Sequence, residues 1–162
     1  MKGMKNEIKK PEQALHLLAA YCSKAERCIY DIKKKLSQWE IPEKDRDFIL
    51  KRLQEENFLN EMRFCRAYVN DRSKYSKWGV YKIQFELKKK QIPDSMIKEA
   101  IQVIVPDENE ERLLQLLQTK QKSIKGSSEF EIRQKLMRFA VSRGFPVEEV
   151  EEAIRRMNRI KK

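Results

Sequence analysis

Turn-forming residues are scarce in this sequence, which contains four Gly and five Pro among 162 residues. A sheet of many short strands needs more turns than these residues supply. Because 38% of the residues are charged, the composition favours long helices, each with one solvated face. We therefore expect an all-α protein.

Catalytic and phosphate-binding patterns are also missing. The four scattered glycines form neither of the glycine-rich phosphate loops, and the single His16 gives little support to a Cys–His or Ser–His pair. The carboxylates that follow Pro146 suit the amino terminus of a helix better than a metal site or an acid–base pair. We expect a protein without enzymatic activity, cofactor or metal, and an enzyme with an unrecognised site is the least favoured alternative.

Long apolar runs do not occur. No stretch of the sequence is apolar enough to span a membrane, and the lysine-rich segment 1–10 lacks the apolar core of a signal peptide. We interpret this segment as a basic flexible tail. The three cysteines lack the paired spacing of a zinc site, so Cys22, Cys28 and Cys65 are interpreted as reduced, buried thiols of a cytoplasmic protein.

Positive charge is what the sequence has in excess. It contains 36 Lys and Arg against 25 Asp and Glu, and the resulting formal charge of +11 should attract an anionic partner. Nucleic acid, an acidic protein surface and an anionic membrane surface all remain open at this point, and so does a role in solubility alone.

An apolar residue followed by proline occurs three times, with the prolines 51 and 53 residues apart. Proline suits the first turn of a helix, where its missing N–H has no intrahelical partner to lose, so each pair marks a helix start. The residues after the second and third prolines place apolar side chains on one helical face at the same spacings, and those after the first do so in part. The three pairs are Ile41-Pro42, Ile92-Pro93 and Phe145-Pro146.

A further helix precedes each of these starts, because apolar residues lie there four positions apart. The interval between this helix and the proline is four residues greater in the third copy, which predicts one additional turn. Capping boxes, in which a side chain at each of two positions satisfies a backbone donor of the other, are predicted at Ser23 with Glu26, Ser128 with Glu131 and Asp107 with Glu110.

Each unit therefore predicts three helices, at roughly 11–21, 24–39 and 43–56, then 60–73, 78–90 and 94–104, then 107–121, 128–142 and 147–160. We expect three tandem three-helix repeats, at 11–58, 59–105 and 106–162, stacked into an elongated, curved helical solenoid. A single compact bundle is the competing architecture.

The middle repeat is the cationic centre, since residues 57–105 contain ten Lys or Arg and five Asp or Glu. Basic residues beside aromatic ones suit phosphate contacts and base stacking, and equally an interface with a protein. Tyr68 and Trp78 are as compatible with a place in the core. Gly79 permits close approach of another backbone or an unusual turn. The predicted partner-binding residues are Arg63, Arg66, Arg72, Lys74, Tyr75, Lys77 and Lys82.

Two stretches contain motifs similar to those of a known family. The middle repeat has Arg63-Phe64-Cys65, Tyr68-Val69, Arg72, Lys77-Trp78-Gly79, Ile83, Glu86-Leu87 and Ile92, and the last repeat has Arg133, Lys135-Leu136, Phe139 and Arg143-Gly144-Phe145. These motifs resemble the RecX family, regulators of the bacterial recombinase RecA, and the resemblance covers nearly all of residues 13–158. The chain departs from the family pattern at Asn60-Glu61, where an acidic pair is common, and at Cys65, where Ala is usual.

The resemblance implies a non-enzymatic, monomeric cytoplasmic protein of DNA repair, recombination and the SOS response. It implies binding to the RecA–DNA filament, with weak direct contact to DNA, and modulation of strand exchange, ATP hydrolysis and filament growth. Structural roles follow for the motif residues Trp78, Gly79, Gly144 and Phe145. The alternative is a basic nucleic-acid-binding module that acts independently of RecA.

Overall fold

The computed structural model describes residues 10–126 and 128–160, and within those ranges the chain forms nine α-helices and no β-strand. The helices are α1 (Pro11–Lys24), α2 (Ile29–Gln38), α3 (Glu43–Glu55), α4 (Glu61–Lys74), α5 (Val80–Lys89), α6 (Asp94–Ile101), α7 (Pro106–Gln121), α8 (Glu129–Ser142) and α9 (Val147–Ile160). The all-α fold is thereby confirmed. The predicted basic tail lies outside the described residues, except for Lys10.

The helices form two compact units. The first runs to Ala67 and adds Lys90–Ile92, and the second comprises Tyr68–Lys89 and the chain from Pro93 onward. The predicted repeat borders fall between α3 and α4 and between α6 and α7. The division into three repeats stays a prediction about the sequence.

The core of the first unit is made by the apolar faces of α1, α2 and α3. Ile32 and Leu36 of α2 and Ile49 and Leu53 of α3 are fully buried, as their spacing of four residues predicts. Leu18 of α1 completes this cluster, and Trp39 packs against it with part of its ring exposed. Burial of each such aliphatic side chain stabilises the unit by roughly 1.5–3 kcal/mol before the entropy of ordering is counted.

The last three helices make the corresponding core in the second unit. The cluster contains Leu113 and Leu117 of α7, Leu136 and Ala140 of α8, and Val150, Ala153 and Ile154 of α9, all of them buried. The buried Phe145 joins the cluster from the turn before α9. Helix α8 has 14 residues whereas α2 and α5 have ten each, so the additional turn predicted for the third copy is present.

A common turn explains the repeated apolar-Pro pair. The residue before each pair adopts a left-handed backbone conformation: φ is 55° at Glu40, 59° at Gln91 and 97° at Gly144. Such a residue ends a helix and reverses the chain. The next residue is buried, and the following helix begins directly after the proline. Pro42 and Pro93 are N-cap residues, so they stand one position earlier than the first-turn position that was predicted.

Two of the three predicted capping boxes are wrong. Helix α2 begins at Ile29 because Ser23 instead donates to the Ala19 carbonyl within α1, at 2.9 Å, and Glu26 binds another partner. Helix α7 begins at Pro106, which places Asp107 inside the first turn. The third box is confirmed in part, since the Ser128 hydroxyl accepts a hydrogen bond from the Glu131 amide at 3.2 Å.

Candidate protein and nucleic-acid interface

Five of the seven predicted partner-binding residues lie together in the second unit, at the end of α4 and the start of α5. Helix α4 ends at Lys74, and Lys77 then turns the chain with a φ of 54°. The Trp78 amide donates to the Arg72 carbonyl at 3.0 Å, which folds the connection back onto the last turn of α4. We call this region the basic-aromatic surface; it comprises Arg72, Lys74, Tyr75, Lys77, Trp78, Tyr81, Lys82 and Phe85.

The indole ring of Trp78 holds two of these cations. The Arg72 guanidinium carbon lies 4.9 Å from the ring centroid of Trp78, and the Lys82 ammonium nitrogen lies 4.6 Å from it. Arg72 also lies 5.0 Å from the ring of Tyr68, which meets Trp78 edge-on with centroids 6.5 Å apart. A cation–π contact orders a cation without neutralising it, so this arrangement fixes positive charge in place.

Tyr68 and Trp78 are half-buried, so neither belongs fully to the core or to the solvent. Their rings form the support on which Arg72 and Lys82 rest. Three other aromatic side chains project further: Tyr75 is 81% exposed, Tyr81 58% and Phe85 61%. Rings exposed to this degree beside lysines are available to stack on bases or to enter a pocket of a protein partner.

Close contact between two glycines positions the start of α5. The Gly79 amide donates to the Arg143 carbonyl at 2.8 Å, and the Tyr81 amide donates to the Gly144 carbonyl at 3.0 Å. A Cβ atom on Gly79 would lie 2.4 Å from the carbonyl carbon of Gly144, so no larger residue fits without a backbone shift. The close backbone approach that the sequence predicts for Gly79 is therefore present, and its partner is the Arg143-Gly144-Phe145 motif.

Arg63 and Arg66 belong to the first unit, and the structure does not place Arg63 in the basic-aromatic surface. Its guanidinium donates to the Glu26 carboxylate at 2.6 Å and to the Asn57 carbonyl at 2.9 Å. These acceptors come from the segment before α2 and from the turn after α3, so Arg63 stabilises the first unit internally. Arg66 is exposed on α4.

The Asn60-Glu61 departure from the family pattern is also structural. The Asn60 side chain accepts from the Arg63 amide at 2.9 Å at the start of α4. The Glu61 carboxylate accepts from the Ile29 amide, also at 2.9 Å, and so caps the first turn of α2. Burial raises the pKa of Glu61 above its ordinary value, although the hydrogen bond from Ile29 opposes this.

Asp31 and Lys90 form a second half-buried ion pair in the first unit, with the ammonium and carboxylate 2.9 Å apart. Burial alone would raise the pKa of Asp31, but the hydrogen bonds from Lys90 and Cys28 outweigh it and lower that pKa. The sequence did not predict this pair, because its members are 59 residues apart and no local pattern links them.

The cysteines are buried free thiols. Burial raises the pKa of Cys28 to about 12 and that of Cys65 to about 11, which keeps both in the unreactive thiol form at neutral pH. In the described part of the chain, no group of His, Cys, Asp and Glu side chains could hold a metal ion. None of the described helices is long and apolar enough to cross a bilayer.

Comparison with protein families places the basic-aromatic surface within a matched domain. A model of the second three-helix domain of RecX matches residues 60–101, and a model of the third three-helix domain of RecX matches residues 107–154. The first match contains all of the basic-aromatic surface, and the second contains Gly144.

Several relatives bear the name "Regulatory protein RecX". That of Prosthecochloris aestuarii is 26% identical over 88% of this chain and 91% of its own length. That of Haemophilus ducreyi is 29% identical over 82% and 84%, respectively. That of Clostridium tetani is 30% identical over 83% of this chain, which spans 61% of that longer relative.

Two solved structures have the same fold. The crystal structure of a regulatory protein RecX matches with a TM-score of 0.81 and 24% identity, over 88% of this chain and 72% of that one. The crystal structure of RecX from Lactobacillus salivarius matches with a TM-score of 0.81 and 19% identity, over 91% and 96% of the two chains.

Proposed function

Because the chain belongs to the RecX family, we propose that it is a regulatory protein that binds the filament of RecA on DNA and inhibits its recombinase activity. It acts without catalysing a reaction of its own, in the cytoplasm, as part of DNA repair, recombination and the SOS response. Inhibition takes the form of slower ATP hydrolysis and slower filament growth.

The observation that carries this proposal is the basic-aromatic surface in the second RecX domain. A protein filament on DNA presents both phosphates and carboxylates, and positive charges fixed on rings attract either of them. Arg72 and Lys82 are fixed in this way, while Lys74 is exposed beside them in sequence. The formal charge of +11 increases the rate of encounter with such a target.

Inhibition of DNA-dependent ATP hydrolysis by RecA tests the proposal. We expect the wild-type protein to slow hydrolysis at substoichiometric amounts. The double variant Lys74→Glu, Lys77→Glu should need about tenfold more protein for the same inhibition, a loss of about 1.4 kcal/mol. The matched control is Lys44→Glu, Lys51→Glu, which changes the net charge equally at exposed positions of α3.

The control variant should inhibit as the wild type does, because its altered charges lie outside the basic-aromatic surface. Inhibition would then depend on where the positive charge lies and not on the total charge of the protein. Equal loss of inhibition in both double variants would mean that the basic-aromatic surface contributes only through the total charge of the protein. Unchanged hydrolysis with equimolar wild-type protein at low salt would refute regulation of RecA altogether.

The exposed rings of Tyr75, Tyr81 and Phe85 favour one second candidate, a module that binds single-stranded nucleic acid without RecA. The binding constant for a labelled oligonucleotide should then fall steeply as salt rises, because bound phosphates release counterions. If the oligonucleotide is not bound at physiological salt while the filament still is, this second candidate is eliminated.

A further inference from the structure

A second aromatic ring that orders two cations lies in the last repeat, on Phe139 of α8. The ammonium nitrogen of Lys120, in the last turn of α7, lies 4.8 Å from the ring centroid of Phe139. The guanidinium carbon of Arg143, the residue directly after α8, lies 5.1 Å from the same centroid. This arrangement repeats that of the Trp78 ring, which also orders one arginine and one lysine. We call Lys120, Phe139 and Arg143 the Phe139 cluster.

The Phe139 cluster adjoins the basic-aromatic surface through backbone contacts inside the second unit. The Arg143 carbonyl accepts the hydrogen bond from the Gly79 amide at 2.8 Å. A Cβ on the next residue, Gly144, would lie 2.5 Å from the Cβ of Lys82, so the two chain segments touch there. Arg143 and Lys82 therefore extend from backbone segments that are in direct contact.

The four cations that rest on these two rings keep their charge. In the described part of the chain, none of the four forms an ion pair with a carboxylate, and all four are half-buried. Trp78 lies within the match to the second RecX domain, and Phe139 lies within the match to the third. The resulting cationic region continues from one domain into the next, and none of its members is acidic.

A nucleic-acid backbone fits this region better than an acidic protein surface does. Each nucleotide carries one negative charge, so a strand presents phosphates in unbroken succession, whereas carboxylates on a protein are usually interspersed with cations. Arginine binds phosphate through two parallel hydrogen bonds, and lysine binds it as a point charge. The exposed rings of Tyr75 and Tyr81 belong to the same surface and are available to the bases.

We propose that Lys120 and Arg143 bind phosphates of a nucleic-acid strand that also contacts Arg72 and Lys82, so that one binding surface spans the second and third RecX domains. This inference rests on the proposed function, because the DNA of the filament supplies the strand. Phe139 is a positioning residue, since its ring orders the first two cations. The contact requires no particular base sequence, because phosphates are common to all nucleotides.

Binding of a fluorescent thymidine oligonucleotide, measured by anisotropy at several salt concentrations without RecA, tests the inference. Lys120→Gln and Arg143→Gln should each weaken binding about fivefold at low salt. Each should also lower the slope of the logarithm of the binding constant against the logarithm of the salt concentration by about 0.7, the share of one phosphate on a single strand. The double variant Lys120→Arg, Arg143→Lys keeps both charges and should bind within about twofold of the wild type.

Two control variants remove the same charge elsewhere. Lys35→Gln is matched to Lys120→Gln, because Lys35 also lies in the last turn of a helix and over an aromatic ring, 5.0 Å from the centroid of Tyr21. Arg138→Gln is matched to Arg143→Gln, because Arg138 is an exposed arginine of α8. Both control variants should bind the oligonucleotide as the wild type does, since neither altered charge belongs to the proposed surface.

Three results would overturn the inference. Unchanged affinity and slope in either Lys120→Gln or Arg143→Gln would mean that this cation only complements the end of its helix. Equal weakening by the control variants would mean that binding depends on the total charge of the protein. Absence of oligonucleotide binding by the wild type at low salt would exclude phosphate as the partner.

Failure of the proposed function would have a different signature. ATP hydrolysis by RecA would then be unchanged by the wild-type protein, while the oligonucleotide would still be bound more weakly by Lys120→Gln and Arg143→Gln than by the control variants. Inhibition of RecA that weakens in both of these variants without any binding of the oligonucleotide would mean that the region binds carboxylates of a protein.

Discussion

The starts of α2 and α5 occupy equivalent places in the predicted repeats, yet the cations beside them have different partners. At the start of α2, Arg63 and Lys90 pair with the carboxylates of Glu26 and Asp31 at 2.6 and 2.9 Å. At the start of α5, Arg72 and Lys82 rest on the ring of Trp78. Carboxylates neutralise the charge that they order, and rings do not.

This difference separates stability from recognition. The paired cations at α2 are satisfied internally, so their removal should weaken the fold more than the attraction to an anionic partner. The cations at α5 keep their charge, and the rings restrict their motion, so the entropy lost on binding the proposed anionic partner would be lower. Three changes test this separation, and they are ordered from the largest expected effect to the smallest.

The first change disrupts the contact between Gly79 and Gly144, which positions the start of α5. Gly79→Ala should destabilise the protein by about 3 kcal/mol, because the added Cβ would collide with the backbone of Gly144 and not with a movable side chain. Urea unfolding measures the loss. Gly126→Ala is the matched control: its Cβ would lie 2.9 Å from Cγ1 of the Ile132 side chain and not against backbone, so we expect a smaller loss of about 1 kcal/mol.

A similar loss in both glycine variants would indicate that the contact between Gly79 and Gly144 does not hold α5 in place. The inhibitory activity of Gly79→Ala should fall together with its stability, since Gly79 positions the start of α5, which carries Tyr81, Lys82 and Phe85 of the basic-aromatic surface.

The second change replaces each of two arginines, Arg63 and Arg72, with leucine in separate variants. Arg63→Leu should lower the free energy of unfolding by roughly 1–2 kcal/mol, because it removes hydrogen bonds to a carboxylate and a carbonyl. Its inhibition of RecA per folded molecule should stay within about twofold of the wild type. Arg72→Leu should lower the free energy of unfolding by less, about 1 kcal/mol, because only cation–π contacts are removed. Its inhibition of RecA should be clearly weaker than that of the wild type.

Urea unfolding and ATP hydrolysis, measured on the same preparations, give both quantities. The comparison between the two helix starts fails if Arg63→Leu reduces inhibition as much as Arg72→Leu does, because both cations would then serve the partner.

The helices were predictable from sequence because the apolar spacing in each is local. Ile32, Leu36 and Leu136 are buried as their spacing predicts, and Ile132 is half-buried against the same core as Leu136. The start of α2 was misplaced because Glu26 is held by Arg63, 37 residues away, and a capping motif takes no account of such a partner. The two glycines are individually visible in the sequence, but only the fold brings Gly79 to Gly144.

The residue types of the candidate surface could be predicted from the sequence, but the contacts of each side chain could not. Arg63 and Arg72 are the same residue type on one helix, α4, and both match the family motifs. Their different surroundings depend on which side chains the tertiary fold supplies: a carboxylate and a carbonyl for Arg63, and two aromatic rings for Arg72. Arginine is chemically suited to both environments, so residue type alone cannot separate them.

The third change uses pH, because only the carboxylate pairs respond to acid. The pKa of Asp31 is lowered in the fold, so Asp31 contributes stability above the ordinary Asp pKa of about 4, and this contribution is lost as pH falls through the lowered value. Asp31→Asn should lower stability at pH 7 by about 1 kcal/mol and flatten this acid dependence. Glu61 has the opposite sign, since its raised pKa makes its contribution fall as pH rises.

The positions of the two tryptophans allow the acid dependence of stability to be measured in the unit that contains α2. Trp39 packs against the core of the first unit, and Trp78 lies at the start of α5. In a Trp78→Phe background, the fluorescence of Trp39 reports urea unfolding at each pH. We expect the protein with the intact Asp31–Lys90 pair to lose stability as pH falls below about 4, and Asp31→Asn to lose less. An identical acid dependence in both would mean that Lys90 gains nothing from Asp31, and the contrast between neutralised and ring-supported cations would then rest on Arg63 alone.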